Sequence, residues 1–222
     1  MRILYLESSS KNCSVAVSEN HEILCSCDEL SDDYKQSEKL HLFVEWALEG
    51  AQLSLKDIEC VVLGMGPGSY TGLRIGAASA KGFCFGNEIP LVAVNSLESM
   101  IEPFLNQNYD VIIPLVDARR MEVYTAAYDG KTGKCIEDTQ ALILDEESFK
   151  KWNDKNVLFV GDGCTKAQTV IALEKAEFQS KVYPSAKYLV RKAMEKIQKK
   201  EFEDVAYFEL FYLKDFHGVK KK

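Results

Sequence analysis

The segment from Gly64 to Gly76, GMGPGSYTGLRIG, constrains this chain more than any other. An apolar run, Cys60 to Leu63, enters it, and a helix-compatible run, Leu73 to Phe85, leaves it. Strand, glycine turn and helix start in that order point to an α/β chain. They also leave backbone N–H groups beside a helix N-terminus, where an anion is stabilised. No lysine follows at the P-loop spacing, and Ser69 stands where the dinucleotide fingerprint has its third glycine. The loop is therefore neither of those two phosphate cradles.

Around it, turn residues and alternation predict a three-strand meander over 2–7, 12–19 and 22–29. An amphipathic helix is expected over 36–51, with Leu40, Phe43, Val44, Ala47, Leu48 and Ala51 as its core face. A strand over 59–63, a helix over 70–86 and a short strand over 91–94 follow, then a helix capped by Ser96 and running to about Asn106. The second half repeats the order: strands over 111–116 and 121–128, strand-like runs at 141–144 and 157–160, and a helix over 146–152 between those two runs. A last helix starts at Pro184-Ser185 and ends near Lys199. Two halves that each open with a strand and a hairpin, then alternate helices with strands, suggest a duplicated α/β architecture.

The glycine segment resembles the signature of the TsaB (YeaZ) family, a bacterial component of the machinery that makes threonylcarbamoyladenosine in tRNA. That signature reads GxGPGSFTGxRIG, and here Tyr70 takes the Phe position. Met1 to Ser9 is similar to the family's opening strand, MxILAIDTS, and Val116 to Tyr124 to its DARxxEVY block. Gly161-Asp162-Gly163 and Phe211 to Lys214 match weaker features, so the resemblance runs along nearly the whole chain. It implies a two-lobed actin-like (ASKHA) fold of mixed sheets flanked by helices. One lobe would span 1–105 and carry the glycine loop and interface helices. The other would span 106–222, with its C-terminal segment packing back on the first.

The same resemblance implies a cytoplasmic, non-catalytic subunit of the complex that places a threonylcarbamoyl group on tRNA adenosine next to the anticodon. Its partners would be a TsaD-type catalytic subunit and a TsaE-type ATPase, with a homodimer when alone and tRNA met mainly through the complex. The alternative from another class is an ATP-dependent phosphotransferase or ATPase of the actin/sugar-kinase type. Its site would use Glu7, Ser8 and Ser9, the loop residues Gly66, Gly68, Ser69 and Thr71, and, across the cleft, Asp117, Arg119, Gly161, Asp162 and Gly163. ATP or ADP with magnesium would lie in that degenerate cleft or at the complex interface. Glu7 is one methylene longer than the family's Asp, which favours reading it as an exposed strand-end carboxylate in a polar turn. For Asp117 and Arg119 a mutual pairing stands level with a phosphate contact, and Gly161-Asp162-Gly163 reads as a plain turn.

Two helices carry a candidate partner interface. Gly72, Gly76 and Ala80, with Arg74 beside them, form a small-residue stripe that lets another helix approach, either within the lobe or between molecules. Leu42 and Trp46 lie outside the core face of the preceding helix, and interfaces are enriched in such anchors. An aromatic tail, Tyr207, Phe208, Phe211, Tyr212 and Phe216, reads as a docking segment over apolar surface.

Composition narrows the function classes. Net charge is −7, against the basic field of a strong polyanion binder. Basic residues gather late, in Lys187 to Lys200 and Lys220 to Lys222, and read as a solvated face and tail. The seven cysteines fit free thiols in a reducing compartment. His21, His41 and His217 include no i, i+4 pair, which leaves neither a His-Glu-x-x-His site nor the His-x-x-x-His metal site of TsaD-type subunits. No apolar run reaches the ~20 residues of a membrane span.

Overall fold

The computed structural model describes residues 1–31 and 36–213. Phe216, His217 and the basic tail Lys220 to Lys222 lie outside the described residues. Among the described residues ten strands form two five-stranded mixed sheets. The first contains β1 (Arg2–Glu7), β2 (Asn12–Glu19), β3 (Glu22–Leu30), β4 (Cys60–Gly64) and β5 (Leu91–Val94), in the order β3-β2-β1-β4-β5. The second contains β6 (Val111–Asp117), β7 (Glu122–Asp129), β8 (Cys135–Ile143), β9 (Val157–Val160) and β10 (Ala176–Gln179), in the order β8-β7-β6-β9-β10. Each sheet is an antiparallel meander followed by two parallel strands. The duplication expected from the order of elements is therefore realised strand for strand, and this is the two-lobed actin-like arrangement.

Alternation explains the first sheet. Leu4, Leu6, Val15, Val17, Val61 and Leu63 face one side, and Ile3, Tyr5, Ala16, Cys60 and Val62 the other. Helices α1 (Gln36–Gly50) and α2 (Tyr70–Asn87) cover the first side. The other side is covered from the far end of the chain: a 3-10 turn, Ala186–Leu189, and α5 (Val190–Gln198) bury Ala186, Leu189, Ala193 and Met194 there. Conversely α3 (Ser96–Ile101) buries Leu97, Met100 and Ile101 on the second sheet. The short helix α4 (Cys164–Ala167) closes that sheet's remaining face.

The lobes thus exchange their last helices, so packing does not divide at residue 105. α3 and α5 meet between the sheets. Arg191 Nε donates to both carboxylate oxygens of Glu102, at 2.8 and 2.9 Å, and Lys192 pairs with Glu98 at 3.6 Å. After α5 the chain runs back over the first lobe. Glu203 bridges to Leu91 at the edge of β5, and Val205, Phe208 and Leu210 pack against the core under α2.

Three local expectations are corrected. Asn95, not Ser96, caps α3, its Oδ1 accepting from Leu97 N–H at 2.9 Å. That helix ends at Ile101 and gives way to a 3-10 turn, Glu102–Phe104, since Pro103 has no N–H to continue it. Only a 3-10 turn, Lys150–Trp152, forms in 146–152, because Phe149 is left-handed with φ +67°. Two strands exceed the sequence reading: β8 starts at Cys135, and β10 was not expected. All seven cysteines are free thiols; Cys135 is exposed, and Cys13, Cys60, Cys84 and Cys164 are buried.

Candidate functional site

The parallel strand ends of the two sheets gather most of the expected phosphate contacts. In the first lobe they are spent on the protein itself. Ser8 and Ser9 are buried, and the glycine loop closes over them. Ser69 N–H donates to Ser9 O at 2.6 Å, Met65 N–H to Val94 O at 2.8 Å and Gly66 N–H to Ser96 Oγ at 3.1 Å. Gly72 N–H donates to Ser69 Oγ, the cap of α2, and Ser8 Oγ to Gly72 O at 2.8 Å. A Cβ on Gly68 or Gly72 would overlap the backbone carbonyls of Ser9 or Ser8. Gly66 has φ +96°, a region only glycine enters freely. The glycines are needed so that a helix start can lie against a serine turn, and the N–H groups of Gly66, Ser69 and Gly72 are already occupied by the protein itself. Gly66, Gly68, Ser69 and Ser8-Ser9 therefore form a packing device; of the loop's expected contacts only Thr71 is exposed.

Glu7 is the second correction. It is not an exposed strand-end carboxylate but fully buried. Its Oε1 accepts from Ser9 N–H at 2.8 Å, while Oε2 has no hydrogen-bond partner among the described residues. Burial pushes this carboxyl above the ordinary carboxylate range, and the Ser9 hydrogen bond opposes the shift without cancelling it.

The second lobe is more open. Asp117 ends β6 exposed, and its Oδ1 accepts from Arg119 N–H at 2.6 Å and from Lys166 Nζ at 2.8 Å. Asp117 and Arg119 are thus linked through the backbone, and the ion pair goes to Lys166. Asp162 Oδ1 accepts from Asp117 N–H at 2.8 Å, and burial pushes its carboxyl up. Gly161 and Gly163 press on Leu115 O as the first-lobe glycines press on Ser8 and Ser9. Lys166 is the residue that sequence reasoning missed; besides Asp117 its ammonium reaches Arg120 O at 2.9 Å and Glu122 O. Only its place on α4, just after the Gly161-Asp162-Gly163 turn, hinted at it.

The helical layer gives a different picture from the one expected. Gly72, Gly76 and Ala80 are buried against their own lobe, and a Cβ on Gly76 would overlap Ser8 Oγ. They leave the interface. The outward stripe of α2 is instead Ala78, Gly82 and Gly86 beside Phe85, which is 83% exposed. Gly82 and Gly86 face open space. On α1, Leu42 and Trp46 are 39% and 48% exposed, with Trp46 stacked on Phe43 at 5.5 Å. The helices are neighbours, with His41 edge-on to Phe83 at 5.8 Å and hydrogen-bonded to Ser79 at 3.3 Å. Arg74 is held by the returning chain: it lies 4.0 Å over the Tyr70 ring and donates to Tyr212 Oη at 3.3 Å. Phe85 was legible as the bulky residue out of phase with Leu73, Ala77, Ala80 and Cys84.

Among the described residues, no helix is long and apolar enough to cross a membrane. The family model described as "TsaD: tRNA N6-adenosine threonylcarbamoyltransferase" matches residues 34–212. The chain is 36% identical over 118 residues to the tRNA threonylcarbamoyladenosine biosynthesis protein TsaB of Bacillus subtilis, covering 51% of each. It is 33% identical over 149 residues to the Escherichia coli TsaB, covering 66% of this chain and 64% of that one. These matches thus span about half to two thirds of the relatives' length. A TsaB of Buchnera aphidicola is 28% identical over 196 residues, 85% of this chain and 90% of its own. YeaZ from Pseudomonas aeruginosa, a solved structure, shares the fold with a TM-score of 0.85 at 23% identity, over 96% of this chain and 99% of its own.

Proposed function

The chain belongs to the TsaB (YeaZ) family, within the larger family whose model is described as a tRNA threonylcarbamoyltransferase, and from that premise we propose that it is a non-catalytic, cytoplasmic partner subunit in threonylcarbamoyladenosine biosynthesis. It binds and supports a TsaD-type catalytic subunit, with a TsaE-type ATPase joining the assembly and a homodimer forming in the partner's absence. The observation that carries this reading is the outward face of α1 and α2. Phe85 and Trp46 offer aromatic anchors, while Gly82 and Gly86 let a partner helix approach the backbone closely. The histidine spacing departs from the His-x-x-x-His motif of TsaD-type subunits.

A magnesium nucleotide does not fit the first lobe as built. Glu7 is enclosed, and the loop's N–H groups at Met65, Gly66, Ser69 and Gly72 have partners. Any nucleotide belongs at the junction with the partner. Magnesium-dependent ATP turnover by the isolated chain would instead favour the phosphotransferase reading.

The test is to mix the purified chain with the TsaD-type subunit of the same organism and weigh the products by size-exclusion chromatography with light scattering. A one-to-one species that weakens with Trp46→Ala and with Phe85→Ala is expected. Separate peaks at micromolar concentration, with and without ATP, would overturn the reading.

A further inference from the structure

We propose that the tip of the β6–β7 hairpin is a phosphate-binding turn, through which this chain itself touches the phosphodiester backbone of RNA. The proposal rests on the partner-subunit reading above and deepens it, since that reading leaves the tRNA mainly to the partner.

Arg119 and Arg120 are both left-handed, with φ +69° and +46°. Side-chain-bearing residues rarely enter this region, and neighbours seldom do so together. The surrounding bonds hold them there. Arg119 N–H donates to Asp117 Oδ1 at 2.6 Å, Glu122 N–H to Arg119 O at 3.1 Å, and Ala118 N–H to Glu122 O at 3.0 Å. Lys166 Nζ donates to Arg120 O at 2.9 Å from below. The turn is thus a fixed frame carrying two adjacent guanidinium groups, and both residues are exposed. Neither guanidinium makes a hydrogen bond or ion pair among the described residues.

The acidic groups nearby do not cancel them. Asp117 is matched by Lys166, Asp162 is bonded to Asp117 N–H with Lys11 and Lys166 close by, and Glu122 is itself engaged. Guanidinium groups suit phosphate oxygens because their planar forks donate two parallel hydrogen bonds and stay charged at any physiological pH. The class of phosphate follows from the other lobe. A nucleoside triphosphate would need a second set of donors across the cleft, and in the glycine loop the N–H groups of Ser69, Gly66 and Gly72 are spent on Ser9, Ser96 and Ser69. A polynucleotide backbone needs only an exposed basic tip. In a chain of net charge −7 a local pair of this kind lets a polyanion approach one place and not the rest.

The experiment uses the assembled complex with the TsaD-type subunit and an unmodified tRNA transcript, comparing wild type with the Arg119→Gln/Arg120→Gln double variant. Glutamine keeps much of the stem and leaves the backbone bonds of the turn available. Fluorescence anisotropy reads tRNA affinity across a salt series, and size-exclusion chromatography checks assembly. The expected result is an affinity loss of about tenfold, with the log–log salt slope reduced by about 1–2. The Arg119→Lys/Arg120→Lys variant should keep most of the slope. Unchanged affinity and slope in an intact complex would overturn the proposal. So would loss of ATP binding with tRNA binding intact, or loss of assembly, which would make the tip a protein contact. Failure of the wild-type chain to assemble would count against the partner reading alone, and the same salt series on the free chain would then decide about the turn.

Discussion

The carboxylate of Glu7 lies directly over the α-carbon of Gly64, so that a methyl group built on that glycine would overlap Oε2. The two residues end neighbouring parallel strands, β1 and β4. Glycine at 64 is therefore a condition for burying the acid, not for bending a turn. Gly64→Ala should destabilise the protein by about 1–3 kcal/mol, the usual cost of overfilling a packed site. Combining it with Glu7→Ser should recover part of the loss, because the obstruction is gone and the two effects cease to add. Thermal melts of the three variants check this; a Gly64→Ala protein as stable as wild type would contradict the packing.

The same burial sets a pH dependence. Glu7 has a folded-state pKa raised above its ordinary value of 4.5. The folded state therefore holds the proton more tightly than the unfolded chain. Its contribution to stability is fully present below the ordinary value and is lost as pH rises through the raised one. Glu7→Gln removes that decline. The variant should melt higher than wild type at about pH 8, and the gap should close toward about pH 4.5. A gap that widens on acidification would reverse the assignment.

Much of this was legible in the sequence, and the failures have specific causes. Unbroken apolar runs in Ile3 to Leu6 and Val15 to Val17 gave away strands buried on both faces. The glycine loop was legible as strand, turn and helix, but spacing cannot say what approaches a glycine. Here it is Ser8 and Ser9 of the chain's own first turn rather than a phosphate. The stripe on α2 failed for a related reason. Gly72, Gly76, Ala80 and Ala78, Gly82, Gly86 are both small-residue rows at intervals of four, and only contact with β1 and β4 decides which is inside. Glu7 looked exposed because nothing in the sequence announces that Ser9 and Gly64 close around its carboxylate. Lys166 lies 49 residues from Asp117, so its clamp on the hairpin tip is purely tertiary.

Partner binding gives a sharper test when the two rows are compared through Phe85. At 83% exposure its loss removes little packing from the free protein. Phe85→Ala should leave the melting temperature within the scatter of surface substitutions, about 0.5 kcal/mol. It should weaken pairing with the TsaD-type subunit at least about tenfold, as a buried anchor does. Calorimetric titration of the two purified subunits gives the affinity, and equal affinities would show that α2 does not face the partner.

Lys166 offers a local readout. Its side chain is 15% exposed and its ammonium ties Asp117, Arg120 O and Glu122 O together. Lys166→Met keeps the apolar stem and deletes the donors. A loss of about 1–2 kcal/mol is expected, since water can reach part of what is left unpaired. Hydrogen exchange should quicken at Ala118 and Glu122, whose N–H groups close the turn, and stay slow in β1. Uniform acceleration across both sheets would mean that the lysine supports the whole lobe and not the tip.

Two glycines on one helix make the last contrast. A Cβ on Gly76 would overlap Ser8 Oγ and come within 3.1 Å of Leu63 Cδ1, whereas one on Gly82 meets nothing within 4 Å. Both sit in the body of α2, where glycine costs about 0.5–1 kcal/mol relative to alanine. At Gly82 that gain is free of any clash, so Gly82→Ala should raise the stability of the isolated chain by about that amount. At Gly76 the overlap outweighs it, and Gly76→Ala should lower stability by about 1–3 kcal/mol. Complex formation should separate them in the opposite sense. Gly82→Leu, tolerated by the free chain, blocks close approach of a partner helix, whereas Gly76→Ala acts only through the fold. Denaturant melts of the free chain, set beside pairing with the TsaD-type subunit, read both effects; pairing untouched by Gly82→Leu would remove the outward stripe from the interface.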